Sequence, residues 1–423
     1  MKIIKVKNIE KFAAKILPNP SQKNKSVVKS ILKDVEKNGD IAVRKYEKKF
    51  SRANISSLRL SQSEIKNAYS KISKTELNAL HLAKNRLEKT EFGIKSVLKN
   101  KIINNDGIKI TKTFVPIQSV GCYIPGGLAK YPSSVIMSVI PAKVAGVNRI
   151  VVVSPPGPDG KIDPLTVTAA KICGADEIYK TGGVQSIAAL SYGTKSIPKV
   201  DKIVGPGGAF VTAAKFMISD HTGIDMLAGP TELGIIADNS ANPKYVALDL
   251  ISQAEHSNDT FCYLITNSEK LAKSVNKIIA ESMSKIQRKN FVEYSLKNNG
   301  FIGICQTKSD MIKLTNILAP EHLQIMTKNP ESLSRKITTS GLILLGNDTP
   351  SSASDYILGS NHILPTNGFG KIRGSLSVLD FVKINTQVTI SKLSLSKTSK
   401  YLDILTRNEG LPNHFEAIKG RLN

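Results

Sequence analysis

An α/β fold built from two parallel-sheet units is what this sequence predicts, and three observations predict it. Between Tyr123 and Ala237, short β-branched runs alternate with helical stretches: "RIVVVSPP" (149–156), "KIVGP" (202–206) and "ELGIIAD" (232–238) with "PLTVTAAKICGADEI" and "VQSIAALSYG" between them. Continuous apolar runs separated by helices mark a parallel sheet covered on both faces. The alternation returns after residue 240, with the helix "YVALDLISQAEH", then "FCYLITNS", a long helix, "GFIGIC" and "GLILLG". Third, no GxGxxG occurs. The two units are therefore Rossmann-like but incomplete, lacking the usual dinucleotide fingerprint.

Helical N-terminal and C-terminal extensions flank these units. Residues 1–19 read as the N-terminal extension. From Ser21 to about Lys49, Val27, Val28, Ile31, Leu32 and Val35 form one apolar stripe, and Gly39 is a helix stop. A lysine-rich helical region follows over about 62–90. Expected boundaries are 20–122 plus 233–376 for a main α/β domain and 123–232 for an inserted α/β domain on the cofactor side. A polar, helical tail over 377–423 packs elsewhere. Ligands of such sheets settle at the carboxyl ends of the strands. "GPGG" (205–208) and "TGG" (181–183) each follow a strand and can open amide-lined turns for phosphate, although glycine after a strand is also ordinary turn chemistry.

The chain has 423 residues, with 59 Lys and Arg against 34 Asp and Glu, a net charge of +25. That length supports two or more domains with substantial cores. The lysines are scattered, Trp is absent and aromatics are few, which argues against a nucleic-acid surface; a clustered or aromatic-interleaved basic footprint would be needed. No stretch approaches the roughly 18 apolar residues that cross a bilayer, and the first residues lack a secretion signal. A cytoplasmic home without membrane or nucleic-acid partners is expected. Cys122, Cys173, Cys262 and Cys305 form no CxxC and read as small buried hydrophobes rather than disulfides or metal ligands.

Four clusters carry chemistry. Gln253 and His256, three apart at a helix end, can aim an amide oxygen and a ring nitrogen at one point; a polar helix end facing water is the plainer reading. Glu321 and His322 in "APEHLQI" pair a carboxylate with the side chain tuned to exchange protons near neutrality; a helix N-terminus led by Pro320 is the alternative. "SASDYILGSNHILPTNG" offers Asp355 and His362, and "NEGLPNHFEAI" offers Glu409 and His414. Nitrogen and oxygen donors of this kind fit zinc.

The strings "VGCYIPGG", "TGGVQSIAAL", "IVGPGGAFVTAAK", "DMLAGPTEL", "ISQAEH", "APEHLQI", "SDYILGSNHILPT" and "EGLPNHFEAI" run in the order found in histidinol dehydrogenases, and the sequence resembles that family over nearly its whole length. The resemblance implies a zinc- and NAD-dependent enzyme that oxidises L-histidinol to L-histidine through histidinal, late in histidine biosynthesis. It implies zinc ligands at Gln253, His256, Asp355 and His414, and a catalytic pair at Glu321 and His322. Substrate contacts would fall on Thr231, Glu409, His322 and the four ligands, and NAD contacts on Tyr123, Gln185 and Gly208. Gly208 departs from the family's usual asparagine, so only a backbone or shape role remains there. The resemblance also implies a domain-exchanged homodimer whose tail reaches the neighbour's site. A related zinc-dependent dehydrogenase acting on another small polar alcohol is the alternative. Cys122 is the competing nucleophile for the second oxidation.

Overall fold

The computed structural model describes residues 1–16, 25–126, 130–227 and 229–422, and these form three sheets. The first is parallel and five-stranded: Ser119–Tyr123, Arg149–Ser154, Glu177–Lys180, Lys202–Val204 and Gly223–Ile224. Taken in chain order, these strands lie side by side as 3-2-1-4-5. The second parallel sheet repeats that order with Glu232–Ala237, Phe261–Thr266, Phe301–Ile304, His322–Met326 and Leu342–Leu345. The sequence carries no visible repeat, but the same winding is used twice.

Period-two burial explains how the five-stranded sheet is covered. Ile150 and Val152 belong to one core with Leu60, Leu80 and Leu87. Val151 and Val153 belong to another with Val28, Ile31, Leu32 and Val35. The helices Lys25–Phe50 and Lys74–Ser96 thus supply cover on opposite faces of this sheet. The sequence boundaries placed 20–122 with the other unit; the apolar stripes instead join the sheet that follows them. Gly39, with φ 51° and ψ −130°, is non-helical and ends the first helical segment as expected; a second segment runs on to Phe50 across the kink.

The N-terminal extension is also part of a sheet. Lys2–Lys5 pairs in parallel with Phe301–Ile304, at the edge of the six-stranded assembly. The tail departs further from expectation. Val382–Ile390 is a strand, paired antiparallel with Ile108–Pro116, which in turn pairs with Lys101–Asn105. The "VKINTQVTI" alternation has the period of a strand, and a reading led by its polarity passes over it. Beyond it, the helices Lys392–Asn408 and Pro412–Lys419 bury almost nothing on their own chain, where Ser394 is the one buried residue of the pair.

The two units meet through specific bonds. Asn361 donates to the Met137 carbonyl at 2.8 Å, and the Gly229 amide donates to Thr366 Oγ1. Among the described residues no helix is long and apolar enough to cross a membrane.

Gly205 closes the turn after Lys202–Val204 with φ 117°, and a Cβ there would collide with the Tyr123 carbonyl. Gly208, three residues on, has φ −67° and open space around it. Gly205→Ala should therefore cost roughly 3 kcal/mol or more of stability, whereas Gly208→Ala should stay within about 0.5 kcal/mol. Urea midpoints of the two variants against the parent measure this difference.

Candidate active site

Two adjacent strands bring the reactive groups together. In the parallel pairing of Glu232–Ala237 with His322–Met326, His322 sits opposite Leu233. Thr231, Glu232, Glu321 and His322 therefore gather at the amino ends of these strands, not the carboxyl ends that the general rule favours. The expected alternative, a helix start at Pro320, is not what forms: Ala319 takes a left-handed conformation at φ 48°, and His322 opens a buried strand.

A chain of hydrogen bonds joins the candidates. Gln253 Nε2 donates to Thr231 Oγ1 at 2.8 Å, and Thr231 Oγ1 donates to Glu321 Oε2 at 2.6 Å. The Glu232 amide also donates to Glu321 Oε2, at 2.7 Å. His322 Nδ1 lies 3.6 Å from that same carboxylate oxygen, while Nε2 lies 3.2 Å from Asp355 Oδ1. His362 continues the line: Nδ1 contacts the Asp355 carbonyl at 2.7 Å, and Nε2 contacts Ser134 Oγ of the other unit at 3.1 Å.

The helix Pro243–Ala254 runs back from the strand Glu232–Ala237, so its end returns to the amino edge and delivers Gln253 there. His256 follows just past the helix end and is exposed. It lies close enough to Asp355 to influence that carboxyl, together with His322 and His362. Burial acts first on His322 and pulls its pKa down. The carboxylates of Glu321 and Asp355 outweigh it and leave the imidazole raised, at about 10.

Glu232 was not singled out in the sequence, where it reads as the polar start of a strand. It is 4% exposed. Its carboxyl accepts from the Asn367 amide at 2.8 Å and from the Glu321 amide at 3.2 Å. Burial, reinforced by the neighbouring Glu321 charge, pushes its pKa up to about 8. It fixes the backbone of the catalytic candidate from behind.

Glu409 and His414 are placed differently. Both are exposed, at the end of one tail helix and within the next. Among the described residues no three His, Cys, Asp or Glu side chains gather into a metal cage within one chain.

Tyr123 and Gln185 line a cavity of about 1260 Å³ at the carboxyl edge of the five-stranded sheet. Gly208 caps the nearby helix Ala209–Met217 and is exposed. The phosphate-cradle expectation fails at the leading amide of each glycine turn. Gly182 N donates to Glu47 Oε1 at 2.8 Å. Gly205 N donates to Asp225 Oδ2 at 2.8 Å, and Asp225 is held in turn by the buried ammonium of Lys215. Protein carboxylates already take these donors.

With that geometry in hand, comparison with known proteins decides the family. Residues 18–422 match the Histidinol dehydrogenase family. The chain belongs to the histidinol dehydrogenase family. It is 43% identical over 427 residues to the histidinol dehydrogenase of Methanococcus maripaludis, covering 99% of this chain and 100% of that one. It is 41% identical to the enzyme of Lactiplantibacillus plantarum, over 94% of this chain and 93% of the relative. The crystal structure of histidinol dehydrogenase from Elizabethkingia anophelis superposes with a TM-score of 0.94 at 33% identity, over 100% of this chain and 98% of that chain. The family is one of oxidoreductases in histidine biosynthesis, and that is this chain's role.

All four cysteines are free and buried. Cys122 is fully enclosed, and burial drives its thiol pKa far up, so it lacks the thiolate that a nucleophile needs. Cys122→Ala should retain activity to within about threefold in both oxidation steps. Steady-state rates with alcohol and with aldehyde check this; loss confined to the aldehyde step would restore the cysteine mechanism.

Proposed function

We propose that this enzyme carries out the NAD-dependent, four-electron oxidation of L-histidinol to L-histidine through histidinal, at a zinc site shared between two subunits of a domain-exchanged homodimer. The observation that carries the proposal is the hydrogen-bonded line from Gln253 through Thr231 to Glu321, with His322 bridging toward Asp355.

The residues present fit zinc by their chemistry. Gln253 turns its NH₂ toward Thr231, which leaves the amide oxygen as the ligating end. His256 lies within electrostatic reach of Asp355. His414 of the partner subunit would complete a set of two imidazoles, one amide oxygen and one carboxylate. When bound, zinc supplies a cationic anchor for the substrate's imidazole and amino nitrogens, and NAD⁺ supplies the oxidant for each of the two steps.

The protein's own residues do the rest. His322, in its neutral form, accepts the hydroxyl proton as the alcohol becomes the aldehyde, and the Glu321 carboxylate 3.6 Å from Nδ1 steadies the imidazolium that results. Glu321, oriented by Thr231 and the Glu232 amide, takes a proton from the water that adds to the aldehyde. The hydrate then gives the acid on the second oxidation. Glu409 of the partner subunit would accept an N–H of the substrate's amine or imidazole. The uncovered tail supports the shared site, because its helices leave Leu393, Tyr401, Ile404 and Leu405 each more than half exposed.

Reduced-nicotinamide absorbance with L-histidinol, against a panel of other amino alcohols, tests the substrate. Histidinol should be preferred by at least about a hundredfold in kcat/KM; equal turnover of the panel would contradict the assignment. Glu321→Gln should slow oxidation of supplied histidinal by about a hundredfold or more while slowing the alcohol step far less. Equal losses in both would remove Glu321 from the hydration step.

A further inference from the structure

The helix Lys25–Phe50 is lysine-rich, and Glu47 near its end looks like one more solvated charge in "RKYEKKF". It is instead completely buried. Its Oε1 accepts three donors: Thr181 Oγ1 at 2.9 Å, Gly182 N at 2.8 Å and Gln185 Nε2 at 2.7 Å. Its Oε2 accepts from Ser51 Oγ at 2.7 Å. No cation forms an ion pair with it among the described residues. The partners are hydroxyls, an amide and the mouth of the helix Gly183–Tyr192, where the dipole favours an anion. In a dinucleotide fold a phosphate would approach this kind of helix end. Here the anion is built into the protein.

The consequence falls on Gln185. Its NH₂ faces a carboxylate, so the amide cannot turn over without setting oxygen against oxygen. The other end, Oε1, is buried with no hydrogen-bond partner, in a side chain that is 2% exposed and lines the large cavity. Such an orphaned acceptor is costly unless a ligand supplies a donor. A locked acceptor makes no distinction that matters for a hydroxyl, which pairs with either end of an amide. It matters for a group that can only donate.

We propose that Glu47 is a positioning residue of the cofactor cleft, locking Gln185 so that its carbonyl oxygen alone meets the bound dinucleotide and accepts from an NH₂ group, either the nicotinamide carboxamide or the adenine amine. This rests on the cleft being the NAD site of the proposed reaction, as the family resemblance at Tyr123 and Gln185 implies. Glu47 touches no reacting atom and acts through Gln185.

Isothermal titration calorimetry on the zinc-loaded, full-length enzyme tests it with three ligands. These are NAD⁺, its nicotinic-acid analogue, and its hypoxanthine analogue. Each analogue replaces one NH₂ by an acceptor oxygen. The parent enzyme should bind one of the two at least about tenfold more weakly than NAD⁺, and which one identifies the group. Glu47→Ala should bind NAD⁺ more weakly and close that gap to within about threefold. Glu47→Gln should keep the gap, since its amide oxygen can hold the same three donors while its NH₂ turns to Ser51. Both analogues binding the parent as tightly as NAD⁺ would overturn the inference while leaving the cofactor site intact. So would an undiminished gap in Glu47→Ala. Failure of the parent to bind NAD⁺ at all would overturn the cofactor assignment and this inference with it. If Glu47→Ala does not fold, Gln185→Ala takes its place and should close the gap in the same way; an undiminished gap there would overturn the inference.

Discussion

The pairing of Glu232–Ala237 with His322–Met326 is the constraint on which the site depends. It holds two chain segments about ninety residues apart in fixed register, so the residues just before each strand meet. The Glu321 carboxylate is then fastened from three sides, by Thr231, the Glu232 amide and His322. Because these partners come from a central pair of strands, the carboxylate is ordered in advance for the role proposed for it. Glu232 serves the same end from below by tying the Glu321 amide and the 366–368 turn together.

A division of labour follows between the two like-wound sheets. The five-stranded sheet presents its carboxyl edge, where Tyr123, Gln185 and the turn at Gly182 and Gly183 line the large cavity. The six-stranded sheet gathers the candidate groups Glu321 and His322 at its amino edge. His362 stands at the seam, touching the Asp355 carbonyl and Ser134 of the other unit. A cofactor and a substrate can thus meet between units that are each wound in the usual way. Only one of the two presents its candidate site at the carboxyl edge that the usual rule favours.

Much of this was legible in the sequence, and the failures have physical causes. The β-branched runs located the central strands because a sheet buried on both faces needs them. "ISQAEH" and "APEHLQI" pointed to Gln253, His256, Glu321 and His322, although the second was equally readable as a helix start. The strand Val382–Ile390 was hidden because its apolar alternation is left uncovered by its own chain, with Ile384 60% and Val388 59% exposed. Glu47 was missed because a glutamate among lysines looks solvated. The available signal was its spacing, four residues after the buried Val43 on the apolar stripe. Nothing local marks Glu232, whose burial follows from sheet order alone.

The tail raises the remaining physical demand. A strand and two helices that leave this much apolar surface open are unstable as appendages and need a second surface. In the proposed dimer that surface is another copy of the chain, with His414 completing the neighbour's site. Mixed dimers test this most directly, by refolding or co-expressing inactive His322→Ala with inactive His414→Ala subunits. A site made of one chain's core and the other's tail leaves one site fully intact in each heterodimer, so the mixture should recover about a quarter of parental activity. No recovery in dimers shown to be mixed would place His414 in its own chain's site and contradict the account.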